Sequence, residues 1–280
     1  NGNTEKAIQV ADELETLLKA TERTETDSAL ATRFLAKEWA RLGRCYSSIG
    51  VPERSKTSFL EAGRLADASL AQSSKGTPEN SGMERKYFAE LLAQIAAWQF
   101  ESGWQTEADQ AINRVLTVMK MKGDPDQLVE RRSTGSLAGD MILSQVPPTA
   151  NESDRDFQLL GVVQKLAPAR YRQAILRTVS EMKGDYWKLC GLRDWSRSDP
   201  GASSEWELIV SEIESRATTL ANIDERASML TIIAELRSVS NDTTLAKKAF
   251  KQAISASRQT DNRTQHQQIA LAQIRSGYFE

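Results

Sequence analysis

Few residues of this chain are equipped for chemistry. His266 is the only imidazole among 280 residues. A multi-histidine metal site is therefore excluded, and any Ser–His–Asp arrangement would have to run through this one side chain. His266 falls at a large-residue position of a helical pattern, where a partly buried structural histidine is expected. The two cysteines, Cys45 and Cys190, form no CxxC and no metal-ligand spacing. Cys45 stands where a small buried residue belongs on a helix, so packing is expected of it, with a Cys45–Cys190 disulfide as the alternative. Carboxylates abound, with 38 acidic residues. Pairs such as Glu181 and Asp185 can share a helix face. Acid–base work on a glycosidic bond needs two carboxylates roughly 5–10 Å apart in a cleft, and nothing selects one pair. The chain has no GxGxxG or Walker-type loop and no GxSxG elbow. The expectation is a protein with no catalytic residue, no metal and no cofactor.

The elements that would position any site are helices. Glu, Ala, Leu, Gln, Arg and Lys dominate, and these are strong helix formers. No alternating β-branched run is bounded by turn signals, so no sheet is expected. The seven prolines, at 52, 78, 125, 147, 148, 168 and 200, all sit at helix starts or in loops. Breaks fall at 71–82, 122–125, 146–153, 196–204 and 260–264. Ser153 or Asp154 is expected to cap the helix after the third break, and the serine pair at 203–204 the helix after the fourth. Between breaks, stripes recur at helical spacing. Phe157, Leu160, Val163 and Leu166 form one. Tyr171, Ile175, Leu176 and Val179 form another, and Trp206, Ile209, Val210, Ile213 and Ala217 a third. Each marks an amphipathic helix that must bury one side. Trp187, Trp195 and Trp206 are expected in the core.

Hydrophobic residues at 40% and charged residues at 26% describe a folded chain. A net charge of −2 gives no electrostatic reason to expect nucleic acid or an anionic membrane surface, and the Glu-Arg-Arg run at 130–132 reads as a solvated face. No apolar run approaches the roughly 20 residues that span a bilayer, so no membrane insertion is expected. The sequence opens at Asn1 without an initiator Met, which leads us to expect that a native N-terminus is missing: a signal peptide, an anchor or another domain. The compartment stays open between cytoplasm and, if a signal peptide was removed, periplasm or exterior.

One segment is the most specific. Trp39, Leu42, Gly43, Tyr46, Gly50, Phe59 and Ala62 alternate large and small residues across a turn. Antiparallel helices approach closely only where small residues let them, and large residues fill the space between pairs. Gly50 supplies the positive φ that ends the first helix, and Pro52 opens the second where a missing N–H costs nothing. This resembles the tetratricopeptide repeat, a helical hairpin of about 34 residues with the pattern W-x2-L-G-x2-Y and later A-x3-F. Ser55 departs from the family's Ala, and Asp67 from its frequent Pro. Three further segments echo the pattern. Leu92, Ile95 and Ala96 lead to Gly103, then Ala108, Ile112 and Val115, with Gln99 replacing the aromatic. Leu230, Ile233 and Ala234 lead to Asn241, then Ala246, Phe250 and Ala253. Ile269, Ala270 and Ala272 lead to Gly277. Ahead of them all, Ala7, Ile8, Ala11 and Leu14 match the second helix of a unit, after a turn at Gly2-Asn3.

The reading is therefore all-α: an α-α superhelix, a solenoid of antiparallel hairpins, with degenerate tetratricopeptide-like repeats at 1–135, poorly matching helices or an insert at 136–221, and repeats again at 222–280. The resemblance implies a non-catalytic scaffold that holds a protein or peptide segment in a groove lined by the first helix of each pair. The groove candidates are Lys37, Arg41 and Arg44 in the first unit and Glu90, Gln94 and Ala97 in the second, with Phe100 at the edge. A basic first unit would suit an acidic peptide or a C-terminal carboxylate. Glu90 and Gln94 do not supply the family's matched carboxylate clamp, so that specificity is not implied. Two alternatives stand beside this one: a helical accessory or regulatory region of a larger sensor, regulator or envelope protein, and an all-α enzyme.

Overall fold

The computed structural model describes residues 2–25, 28–73, 81–120, 152–260 and 262–278. Among them are twelve α-helices and no strand. The chain divides into two compact units, Asn1–Ala169 and Arg170–Glu280. The first holds α1 (Gly2–Glu25), α2 (Ala29–Ser48), α3 (Pro52–Ser73), α4 (Ser81–Glu101), α5 (Gln105–Lys120) and α6 (Glu152–Leu166). The second holds α7 (Arg172–Glu181), α8 (Asp185–Ser198), α9 (Ser203–Ala217), α10 (Ile223–Val239), α11 (Thr243–Ser257) and α12 (Arg263–Arg275). The expected boundary at 135/136, the 130–132 run and the prolines at 78, 125, 147 and 148 lie outside the described residues. The expected boundary at 221/222 falls in the connection between α9 and α10, inside the second unit.

The local reasons for these helices are legible at their ends. Gly50, Gly103, Asn241 and Gly277 all have positive φ, between 60° and 82°. At each, the next residue's N–H reaches back across the turn to a carbonyl: Val51 to Tyr46, Trp104 to Gln99, Asp242 to Arg237 and Tyr278 to Gln273, at 2.8–3.0 Å. The left-handed residue itself donates to Ser47, Phe100, Ser238 and Ile274, at 3.0–3.2 Å. This is the Schellman arrangement, which satisfies the carbonyls a helix end leaves open. Four copies of one turn thus close α2, α4, α10 and α12. Helix starts are also specified. Asn222, Asp242 and Asn262 each accept the N–H three residues on, at 3.1–3.2 Å, and so cap α10, α11 and α12. Two expected caps are displaced: α6 begins at Glu152, so Ser153 and Asp154 fall in its first turn, and Ala202 takes the cap position before Ser203. The short 3₁₀ turn at Pro200–Ala202 already redirects the chain there.

Small residues set the helix seams. In the α2–α3 hairpin a Cβ on Gly43 would lie 3.1 Å from the Phe59 ring. Leu42, Tyr46, Phe59 and Ala62 are all buried around that contact. The α4–α5 hairpin repeats it with Ile95, Ala96, Ala108 and Ile112, and α10–α11 with Ile233, Ala234, Ala246 and Phe250, all buried. Fully burying one such Leu, Ile or Phe stabilises by about 1.5–3 kcal/mol, so these seams outweigh helix propensity as the source of order. In the first unit α4 is central and packs on α2, α3, α5 and α6. In the second, α10 packs on α8, α9, α11 and α12, and its residues from Met229 to Arg237 are buried without a break.

One register position reaches from hairpin to hairpin. Four residues before the left-handed turn stands Tyr46 in α2 and Arg237 in α10. The Tyr46 hydroxyl lies 2.9 Å from Asp12 Oδ1 and 2.8 Å from Glu15 Oε2, both on α1. Arg54 of α3 also donates to Asp12. Burial, and then the hydrogen bonds to Glu15 and Asp12, hold the Tyr46 phenol well above its ordinary pKa. Arg237 donates to Glu214 at 2.8 Å, to Ser211 at 3.0 Å and to Glu207, all on α9. Both residues tie the first helix of a hairpin to the helix immediately before it.

Several side chains differ from expectation. Cys45 is exposed and Cys190 buried, and both are free thiols, so the disulfide alternative is not realised. Cys45 is one residue off the seam, which Leu42, Gly43 and Tyr46 occupy. Phe157 is 47% exposed; the buried side of α6 is Leu159, Val162, Val163 and Leu166, because spacing by three alone drifts around a helix of 3.6 residues per turn. His266 is exposed, its Nε2 2.9 Å from the Ser257 carbonyl oxygen. Trp195 and Trp206 are fully buried, while Trp187 is half-buried and stacks edge-on with Tyr186 at 5.4 Å.

Candidate functional site

The face that α2 and α4 present together gathers most of the residues singled out from sequence. Lys37 and Gln94 point from neighbouring helices, α2 exposed and α4 half-buried. Arg44 crosses between them: its guanidinium pairs with Glu101 at 3.0 Å and sits 5.9 Å from the centre of the Trp98 ring. Arg41 stays on its own helix and pairs with Glu38 at 2.6 Å. Glu90 turns to the other side of α4. A Cβ on Gly161 of α6 would lie 2.7 Å from Glu90 Oε1, so this carboxylate is wedged against the α6 backbone, with Lys86 4.0 Å away. Ala97 is buried and lines no surface, a correction to its expected place in the groove. Phe100 is half-buried near the end of α4.

A second rung, absent from the sequence reading, lies along the same seam. Arg33 of α2 bonds Glu84 of α4, and its guanidinium lies 4.7 Å from the centre of the Tyr87 ring. Ser73 of α3 donates to the same Glu84 carboxylate at 2.9 Å. The rungs at Arg33 and Arg44 have one design: an arginine from α2, a glutamate and an aromatic from α4. Lys86 over the Phe157 ring, at 4.7 Å, continues the theme between α4 and α6. Glu84, Tyr87, Leu91, Gln94, Trp98 and Glu101 follow at intervals of three and four, one stripe of a helix. Extending that spacing in both directions from Gln94 would have found the rungs.

Electrostatically the seam is mixed in sign. Arg33, Arg41 and Arg44 each already hold a carboxylate of their own chain, while Lys37 makes no ion pair among the described residues. The Arg41–Glu38 and Arg44–Glu101 pairs, whose arginines are exposed, contribute about 0–1 kcal/mol each, and cation–π contacts at exposed sites about 0.5–1 kcal/mol. The pairs are weak enough to exchange for a ligand's groups.

Among the described residues no three His, Cys, Asp or Glu side chains are placed to hold a metal ion. No helix among them is long and apolar enough to cross a membrane. A cleft of about 600 Å³ between α1, α2 and α3 is lined by Lys19, Glu22, Thr32, Arg64 and Gln72. Arg64 pairs with Glu22 within it, and Lys19 with Glu15 outside it.

Comparison with protein-family models, with curated proteins and with solved structures finds no match to this chain.

Proposed function

We propose that this chain is a non-catalytic interaction scaffold: tetratricopeptide-like hairpins stacked as an α-α superhelix, holding a protein or peptide segment along the α2–α4 face. The observation that carries the reading is the recurrence of one turn and one seam. The Schellman turns at 50, 103, 241 and 277 stand in the same register to the small residues Gly43, Ala96, Ala234 and Ala270. A chain built this way offers rows of side chains from adjacent first helices, which suits extended or helical segments. The chemistry of the face refines the ligand. A purely acidic peptide must displace Glu38 and Glu101 from Arg41 and Arg44. A segment with carboxylates near Lys37 and apolar or aromatic groups toward Tyr87 and Trp98 fits the two rungs better.

The test is selection of peptides from a random display library on the whole chain, followed by affinity measurement. Changing Lys37, Arg41 and Arg44 together to Glu is expected to weaken the selected peptides by tenfold or more, about 1.4 kcal/mol. The three side chains are exposed, so the fold should survive, as circular dichroism can check. Unchanged affinity would place the binding face elsewhere, and failure to select any peptide would count against the scaffold reading itself.

A further inference from the structure

A cluster of charge lies in the second unit, apart from the α2–α4 face. The side chain of Glu235 on α10 is only 10% exposed, and three arginines approach its carboxylate within 4.0 Å. Arg275 of α12 takes Oε1 at 2.7 and 2.9 Å. Arg193 and Arg197 of α8 come no nearer than 4.0 and 3.9 Å. Asp194 lies 3.8 Å from each of these two. The hairpin register explains the position. Glu235 stands one residue after the seam residue Ala234, and Arg275 five after Ala270. In the same way Arg44 stands one after Gly43, and Glu101 five after Ala96. The Glu235–Arg275 tie is thus the Arg44–Glu101 tie with its charges exchanged. Helix α8, packed on α10, adds the two further arginines.

Stability does not call for these two. Arg275 already neutralises Glu235, and Arg193 and Arg197 stand four apart on one helix face, where like charges repel. Elsewhere in this unit arginines use their forks. Arg172 donates to Asp199 and Glu205, and Arg216 to Asp185 and Glu212, all at 2.6–3.0 Å. The guanidiniums of Arg193 and Arg197 donate no hydrogen bond among the described residues, since 3.8–4.0 Å is beyond N–H···O range. Arg193 Nε is shut off from solvent without an acceptor, an arrangement that costs stability and favours movement onto an acceptor. Three guanidiniums against two carboxylates leave an excess of positive charge and unused planar donors. The two carboxylates interrupt the cluster, so it suits one compact anion rather than a long polyanion.

We propose that Arg193, Arg197 and Arg275 bind a phosphate monoester. A phosphoryl group offers three terminal oxygens and a charge of about −1.5 to −2 at neutral pH, so it accepts from several forks at once. A carboxylate, with two oxygens and one charge, is filled by a single fork. Arg193 and Arg197 supply the donors their own chain leaves unused. Arg275 holds Glu235 through Nε and Nη2, which leaves Nη1 for the anion. The inference rests on this cluster and not on the peptide-binding face.

Titration of the whole chain at fixed ionic strength tests it, followed by the arginine Nε–H signals in proton–nitrogen correlation spectra. One probe is inorganic phosphate, taken to about 20 mM, where a millimolar site is nearly full. The other is a short glycine–alanine peptide around one phosphoserine. Both should shift the Nε–H signals of Arg193 and Arg197. A peptide about tenfold or more tighter than the free ion assigns the site to a phosphorylated chain, and equal affinities assign it to a small phosphate ligand; either supports the proposal. Glutamate in place of phosphoserine should cost about tenfold or more, as should Arg193→Gln with Arg197→Gln. Arg193→Lys with Arg197→Lys keeps the charge but loses the forks, and should weaken the phosphopeptide several-fold. If the glutamine pair unfolds the chain, the lysine pair decides. Glu235→Gln removes a competing carboxylate and should tighten binding several-fold, which partial unfolding would not do. No shift with either probe overturns the proposal. So does glutamate binding as tightly as phosphoserine, or unchanged affinity in the decisive arginine variant. The Lys37/Arg41/Arg44 change should leave phosphate affinity unaltered, and the Arg193/Arg197 changes should leave the display-selected peptides unaltered, so either idea can fail without the other.

Discussion

At the scale of single residues, Tyr46 and the two cysteines make the sharpest cases. Tyr46 reads as a space filler in sequence, yet its hydroxyl is bound by two carboxylates of α1. Tyr46→Phe should cost about 1–1.5 kcal/mol at pH 7, measured by urea unfolding. The cost is expected to depend on pH. Burial pushes the Glu15 carboxyl up, but hydrogen bonds from Lys19 and Tyr46, with the charges of Lys19 and Arg54, outweigh it and hold its pKa below the ordinary value. A carboxyl depressed in the folded state contributes stability above its unfolded pKa, and the contribution is lost as pH falls through the folded value. The wild-type advantage should thus be whole at neutral pH and fade below about pH 4. For the thiols, Cys45 should react with a maleimide at once and Cys190 only on unfolding, because burial both shields Cys190 and pushes its thiol pKa up. Equal labelling rates in native buffer would contradict the assigned positions.

At the scale of elements, turns and inter-helix ties decide stability. Gly50 has φ +79°, a conformation that disfavours any residue with a Cβ by about 1–2 kcal/mol. Gly50→Ala should therefore lower the melting temperature, while Asn241→Gly, at φ +60°, should not. Arg237 is the costlier loss. Its side chain is 3% exposed, and Arg237→Ala leaves Glu214, 14% exposed, without its cation. A destabilisation of about 3 kcal/mol or more is expected in urea. Adding Glu214→Gln should recover part of it, since the uncompensated charge is then gone.

At the scale of the molecule, helices pack on near neighbours in the chain, so disturbance should stay local. Gly43→Val drives a branched side chain into the Phe59 ring and should cost about 1–3 kcal/mol. Hydrogen exchange is expected to show faster exchange in α2 and α3 with α10 and α11 unchanged. Uniform loss of protection in both units would mean that the two behave as one cooperative block.

What the sequence determined by itself is local. Helix-forming composition, glycine or asparagine at the four turns that close α2, α4, α10 and α12, and small residues at the hairpin contacts specified the helices, these four ends and their seams, because each depends on the backbone and on side chains within one hairpin. That is why Gly43, Ala62, Ala234 and Ala253 could be assigned to seams from the sequence, and all four are buried. Only the tertiary structure decided what crosses from one hairpin to another. Arg44 reaches Glu101 and Trp98, Glu90 lies against Gly161, and Arg237 is buried among the carboxylates of α9. The reason is geometric: a face pointing away from its own hairpin looks the same in sequence whether it meets solvent or another helix. The separation between helices, set by the bulk at every seam, chooses which of the two it meets.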